Sequence, residues 1–309
     1  MEIVENENKK ETYKLSALKE YINTKLVKPV DSDLYHYTTI EALYNGILRK
    51  EAKVDEEICL RSTSVLYLND PEEIKIGLSF IEKLLYGNSG GKILDKQSDV
   101  MDACSEYFIT SFSQDGDNLP MWNMYAANAA GIALRFDKEI IKDDYWLKCI
   151  YYDATIQSNI EEILGKFENV ETDNKEEDDE YGKYRDSAIF VLILIFILML
   201  RDEECSKKIM SEYIPIIMFA FSLKHPSYSY EKEVRLMSTI SDKDEIKHRF
   251  KNNLIIPYLE KYFPKKALKE IIVGPNNDME RTIYSLEKYL KHIGFEHVKV
   301  TPSKVPYRS

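Results

Sequence analysis

The chain has 309 residues, with 42 Lys+Arg against 53 Asp+Glu and a formal net charge of −11. That balance excludes a protein whose main task is to coat nucleic acid, which needs a basic surface against the phosphates. With 44% hydrophobic and 31% charged residues the chain is globular in composition and long enough to bury a core without disulfides.

Cys59, Cys104, Cys149 and Cys205 form no CxxC pair, so no zinc knuckle or redox motif follows from them. Their wide spacing, with no secretory leader, leads to the expectation of reduced thiols in a cytoplasm. Thr12 to Leu26 sets Tyr13, Leu15, Leu18, Tyr21, Ile22 and Leu26 near helical spacing, which predicts a helical extension over residues 1–30. Leu34 to Thr38 (LYHYT) reads as a strand, and Thr39 as the cap of a helix with Ile40, Leu43, Ile47 and Leu48 on its apolar side. Glu57 to Ser62 is a second strand leading into a loop, Ser62-Thr63-Ser64 and Asn69-Asp70-Pro71, with a helix from Glu72 to Tyr86. After Asn88–Gly91, a flexible connection, Tyr107 to Ser113 alternates as a strand. Gln114 to Leu119 turns, and Pro120 to Ala126 forms a short helix carrying Met121, Trp122 and Tyr125. Gly131–Phe136 and Leu147–Tyr152 are further strands.

Glu161 to Asp186 holds 11 acids and four bases, the mark of a solvated face or an insertion. Ala188 to Leu200 follows as 13 uninterrupted apolar residues. A membrane span needs about 18–20 such residues, so this run predicts a core helix or a homo-oligomer contact and no membrane span. A second helix, Ser211 to Leu223, leads to Tyr228–Ser238, read as a strand with Glu231, Glu233 and Arg235 on one face. Glu270–Val273 is a strand, Met279–His292 a helix stopped near Gly294, and His297–Thr301 the last strand. Together these predict an α+β fold, a mixed or antiparallel sheet core flanked by helices, as one domain over 31–309 with an acidic and helical insertion at 155–210.

Three polar clusters are candidates for chemistry. His36-Tyr37-Thr38 could bind a sugar hydroxyl or an amide, or be plain structure. Ser62-Thr63-Ser64 with Asn69, Asp70 and Glu72 is a binding loop or a helix cap. Glu231 and Glu233, alternating on a strand, would lie about 7 Å apart. Buried, the pair raises one pKa and can stabilise positive charge; exposed, it pairs with nearby cations. Trp122 and Tyr125 are candidates for a pocket wall or for core. No GxGxxG, Walker A, GxSxG or HExxH sequence is present, which excludes the corresponding dinucleotide, P-loop, hydrolase and zincin sites.

LYHYT, STS…LNDPEE, FSQDGDNLPMWNMYA…GIALRFD, KHPSYSYEKEVRL and IIVGP…VPYR together resemble the bacterial domain of unknown function 2971 family, over roughly residues 33–308. Members are similar to abortive-infection proteins of the AbiGi type, which implies an antiviral or toxin-like setting and a partner protein from a defence operon. A second similarity is to ADP-ribosyltransferases, whose folds place a His on the first strand, a Tyr or STS segment on the next, and an ExE glutamate on a late strand. That resemblance implies an ADP-ribosyltransferase-like fold with NAD as substrate and no metal. It makes His36, Glu231 and Glu233 catalytic, with Glu233 the carboxylate that steadies the oxocarbenium-like cation. Tyr37, Thr38, Ser62, Thr63, Ser64, Tyr67, Asn69, Asp70, Trp122, Tyr125 and Arg235 would contact substrate, with Tyr67 or Tyr125 stacking on nicotinamide. The target would be a protein or a nucleic acid. Two alternatives stay open: a non-catalytic sensor or interaction module binding a nucleotide or a phage component, and a metal-dependent nuclease using Asp70, Glu72, Glu231 and Glu233. Lys243 to Ser309 carries 14 bases against eight acids, so a local nucleic-acid contact is compatible with the overall acidity.

Overall fold

Alternation of apolar and polar residues builds strands where the two sides of a sheet meet different surroundings, whereas Tyr107–Ser113 and Glu233–Thr239 are buried on both sides for most of their length. The computed structural model describes residues 20, 30, 32–48, 57–69, 76–77, 104–105, 107–137, 145–153, 155–156, 158, 219, 221–240, 245–251, 253–276 and 278–307. The chain divides into two compact units, one made of Met1–Lys28, Asp70–Ser105 and Ile150–Pro226, the other of Pro29–Asn69, Glu106–Cys149 and Ser227–Ser309.

The second unit carries the main sheet. Its strands are β1 (Leu34–Thr38), β2 (Glu57–Ser64), β3 (Tyr107–Ser113), β4 (Ile132–Phe136) and β5 (Tyr145–Lys148), numbered in chain order. In the first unit β6 (Ile150–Tyr151) and β7 (Leu223–Lys224) form a short parallel pair. The second unit then continues with β8 (Glu233–Thr239), β9 (Lys247–Lys251), β10 (Leu254–Pro264), β11 (Leu268–Val273) and β12 (Lys299–Pro302). The order is β12-β11-β4-β1-β3-β2-β10-β9, with β8 on β3 and β5 outside β8. Among the described residues only β11 and β12 run parallel within this sheet, because a helix connects them where a tight turn would have reversed the chain. The architecture is the expected α+β one.

Among the described residues, three helices accompany the strands of this unit. The first, α1 (Ile40–Ala42), is capped by the Thr39 hydroxyl and widens into a π-helical turn over Leu43–Ile47. The second, α2 (Leu119–Tyr125), takes its cap from the Asn118 side chain, with Pro120 in the first turn where no N–H is needed. The third, α3 (Met279–His292), is capped by Asp278 and ends just before Gly294, whose φ of 75° lets the chain turn away. One core unites Leu34, Phe112, Phe136, Val234, Leu236 and Phe263 with Leu286 and Leu290 of α3. In it the Phe112 ring meets Phe136, Trp146 and Phe263 at 5.8, 5.3 and 6.5 Å between centroids.

Several expectations change. Ser62-Thr63-Ser64 is not a loop but the end of β2, where Ser62 and Ser64 are small enough to be buried against the neighbouring strands. Tyr228–Ser238 is not one strand: Pro226–Glu231 coils as a 3-10 helix and the strand starts at Glu233. The β9–β10 hairpin was not foreseen, since Pro257 and a run of charges mask its alternation. The proposed helices at Thr12–Leu26, Glu72–Tyr86 and Ala188–Leu200, and the acidic run, lie outside the described residues apart from Glu20, Ile76 and Gly77.

Close backbone packing fixes one end of the sheet. Before β4, Ala127, Asn128 and Ala129 all hold positive φ, of 50°, 52° and 67°, a left-handed turn costly for residues with a side chain. It is held by Ala129 N–H donating to the Trp122 carbonyl at 2.8 Å and by the Asn276 N–H donating to the Ala129 carbonyl at 2.9 Å. Gly131 then passes so close to β1 that a Cβ there would strike the Thr38 carbonyl oxygen and the Ala126 backbone. Since these obstacles are backbone, Gly131→Ala is expected to cost about 1–3 kcal/mol, read as a fall of several degrees in a thermal melt.

Candidate functional site

The strand β3 explains where the predicted site residues go. Along its whole length, Tyr107 to Ser113, it pairs with β8. Its other edge is shared: β2 pairs at Phe108 and Ile109, β1 at Ser113. Between them the edge is open, and His36 of β1 fills it, its Nδ1 lying 3.0 Å from the Ser111 carbonyl oxygen. A carbonyl only accepts, so Nδ1 carries the proton and Nε2 is the lone-pair nitrogen. The imidazole also packs edge-on to Phe112, 5.8 Å between centroids. Burial lowers its pKa and the charge of Arg249 lowers it further, against the opposing pull of the Ser111 carbonyl, so His36 is neutral at pH 7. Thr38 ends β1 opposite Ile132.

Arg249 is the residue that sequence reading missed. It sits on β9, and its Nη2 donates to the Thr63 hydroxyl at 2.9 Å. Thr63 of the STS run therefore holds the guanidinium whose charge is felt at His36. The other two hydroxyls of that run behave differently: Ser62 shares a 2.6 Å hydrogen bond with Thr110 in the interior, and Ser64 Oγ is buried without a partner. Tyr67 and Asn69 are exposed in the turn after β2, and Asp70 lies outside the described residues.

Register places the remaining candidates. Residues directly opposite each other in paired strands share a face. Tyr35 faces Ser113, and Ser113 faces Glu233, so Glu233 leaves the sheet on the side of Tyr35, while His36, next along β1, leaves on the other. Tyr37 is also on the Glu233 side, where its ring packs edge-on against the fully buried Trp122 at 4.9 Å. Its hydroxyl donates to the Asp115 carbonyl at 2.8 Å and accepts from the Asn118 N–H at 3.1 Å, and burial raises its pKa. Trp122 Nε1 donates to Asp117 at 2.8 Å. Both aromatics thus hold the 114–118 loop in place.

The two glutamates are not the side-by-side pair expected. Lys232 between them has a φ of 44°, which breaks the alternation. The kink is held by the Lys232 carbonyl, which accepts from the Gln114 N–H at 3.0 Å, and by its ammonium on Asp115 at 2.9 Å. Burial opposes the charge on Asp115, but Lys232, the Asp117 N–H and the Asn118 amide outweigh it and hold the carboxyl below its usual range. Glu231, 3% exposed, accepts the Tyr125 hydroxyl at 2.7 Å. Glu233, 5% exposed, binds Arg235 at 2.9 Å and the Cys149 thiol at 3.4 Å. The structure brings Tyr125 to Glu231 and Arg235 to Glu233. It does not bring His36 and Glu233 to one face.

Among the described residues no group of three or more His, Cys, Asp or Glu is arranged to hold a metal ion, and no helix is long and apolar enough to cross a membrane. The acids of the nuclease alternative include Asp70 and Glu72, outside the described residues. Residues 121–236 match the model of a family described as a protein of unknown function (DUF2971), a stretch running from α2 into β8. No curated protein and no solved structure matches the chain.

Two outcomes follow from this geometry. Arg235 and Glu233 are both buried, with side chains 2% and 6% exposed, and removing one member leaves a buried charge. Arg235→Met is expected to destabilise the fold by about 3–5 kcal/mol, measured by denaturant unfolding. For His36, a depressed folded pKa means the unfolded chain binds the extra proton first. Its contribution is complete above about pH 6.5 and is lost as the pH falls through that value toward the lower folded pKa. His36→Asn keeps a donor for Ser111 and removes the titration, so its thermal midpoint should fall less steeply than wild type between pH 7.5 and pH 5.

Proposed function

We propose that this chain is a nucleotide-binding protein of a bacterial antiphage system, with its site at the divided edge of β3 and NAD as the ligand to test first. The observation that carries the reading is Arg249 of β9, which donates to Thr63 of β2 and whose charge reaches His36 of β1. A neutral imidazole with a lone-pair nitrogen, a hydroxyl and a guanidinium are the groups that recognise ribose hydroxyls and phosphates. The defence setting comes from the resemblance to abortive-infection proteins.

ADP-ribosyl transfer from NAD is the second reading. The buried carboxylates Glu231 and Glu233 at the head of β8 favour it, because cleavage of the nicotinamide bond needs a carboxylate near a developing cation. Reacting groups must also reach a single substrate. His36 and Glu233 leave opposite faces of the sheet, and Glu233 is already paired with Arg235. Recognition is therefore better supported than transfer.

Both readings are tested together by titrating the purified chain with NAD and assaying released nicotinamide. Saturable binding with no release is the expected result, and no binding at millimolar NAD overturns the proposal. Release that disappears in Glu231→Gln or Glu233→Gln, with binding and the circular dichroism spectrum retained, would establish the transferase instead.

A further inference from the structure

The face of β2, β9 and β10 that carries Arg249 holds more cationic charge than its carboxylates balance. Register decides which residues share it. Thr63 and Lys247 both stand opposite Tyr258, Arg61 opposite Glu260, Arg249 opposite Ile256 and Lys251 opposite Leu254. Alternation then places Arg61, Lys247, Arg249 and Lys251 on one side. Lys247 is matched by Glu260 at 2.8 Å. Arg61, Arg249 and Lys251 have no carboxylate partner among the described residues. The Arg61 guanidinium lies over the Tyr258 ring, 4.9 Å from its centroid. Arg249 uses one nitrogen on Thr63, and its Nε–H is buried with nothing to donate to.

We propose that Arg61, Arg249 and Lys251 form a subsite for a phosphate group, of the diphosphate class carried by nucleoside diphosphates and dinucleotides. A planar guanidinium fixed at one corner by a hydroxyl and offering a dry N–H suits a phosphate oxygen, with a second guanidinium resting on an aromatic ring and an ammonium at the edge. Like charges held close in a partly dehydrated place repel, and a dianion between them removes that repulsion. Consistently, burial lowers the Arg249 pKa with Arg61 adding to it, and burial lowers that of Lys251 with Arg249 adding to it. The subsite deepens the nucleotide reading above, since His36 lies within reach of the Arg249 charge, but it stands on the three cations alone.

Isothermal titration of the full chain with inorganic pyrophosphate and with ADP tests it. Both should bind saturably, and Arg249→Gln should weaken each by about tenfold or more, the loss of one charge-assisted hydrogen bond. Arg61→Gln, at an exposed position that leaves folding intact, should weaken both as well. Lys288→Gln on α3 removes the same unit of charge elsewhere and should change nothing. Tighter binding of ADP than of pyrophosphate assigns the subsite to a nucleotide, and equal binding assigns it to a bare diphosphate; both sustain the phosphate site. Absence of binding at millimolar probe overturns it, as does equal weakening in Arg61→Gln and Lys288→Gln. Pyrophosphate binding without NAD binding keeps the subsite and removes the NAD reading, whereas NAD binding indifferent to Arg61 and Arg249 does the reverse.

Discussion

The open stretch on one edge of β3 is the constraint from which the rest of the second unit follows. A strand buried in a sheet must have its carbonyls and N–H groups met on both sides. Here β8 meets one side completely, while β1 and β2 divide the other and leave the Ser111 carbonyl between them. A histidine side chain supplies the missing donor. That need fixes the tautomer of His36, and with it which nitrogen keeps its lone pair. The same division allows β2, β10 and β9 to leave β1 and β4 while Phe263 of β10 still reaches Phe112 and Phe136 in the common core.

The second consequence concerns faces. Because β3 is the common neighbour of β1 and β8, its register assigns every candidate to one side or the other. Beside β1 and β8 the side of Tyr35 and Glu233 is dense with paired groups: Tyr37 on the 114–118 loop, Trp122 on Asp117, Arg235 on Glu233. Such networks specify structure and are expensive to disturb. Thr63 faces Ile109 of β3, so Thr63 and, through Tyr258, the Arg249 row of β9 lie on this same side of the sheet, farther out along β2 and β9, where donors exceed acceptors. Polar residues on one face of the sheet thus divide by strand, into a paired set beside β1 and β8 and a cationic set on β2 and β9.

Much of this was legible in the residues and some was not, for identifiable reasons. LYHYT and YFITSFS form strands at the limits their alternation predicts, and Met279–His292 is helical over the predicted span because a cap, an amphipathic repeat and Gly294 agree. The STS run misled because hydroxyl residues that favour turns also fit a crowded strand, where Ser62 finds Thr110. The alternation of Glu231 and Glu233 misled because nothing local announces a left-handed Lys232; its cause is Asp115 and Gln114, more than a hundred residues away in sequence. Arg249 could have been found only by reading KHRFK as a strand, with Lys247, Arg249 and Lys251 alternating against His248 and Phe250.

That alternation also bears on why the cations are where they are. A shift of one residue in the pairing of β9 with β10 would exchange its two sides. It would carry Phe250, now 75% exposed, to the sheltered side and release Arg249 to water. Burying a Phe side chain is worth about 1.5–3 kcal/mol, and freeing a partly dehydrated arginine from its neighbour Arg61 would add to the gain. The observed register forgoes both. Some of the difference is returned by the part-buried pair of Lys247 with Glu260 and by Arg249 on Thr63, but the Thr63 bond leaves the Nε–H of Arg249 unmet. A register that holds its arginine in and its phenylalanine out is stabilised most readily by something outside the chain that meets the arginine, and an anion of the diphosphate class has the charge and the acceptor geometry to do so.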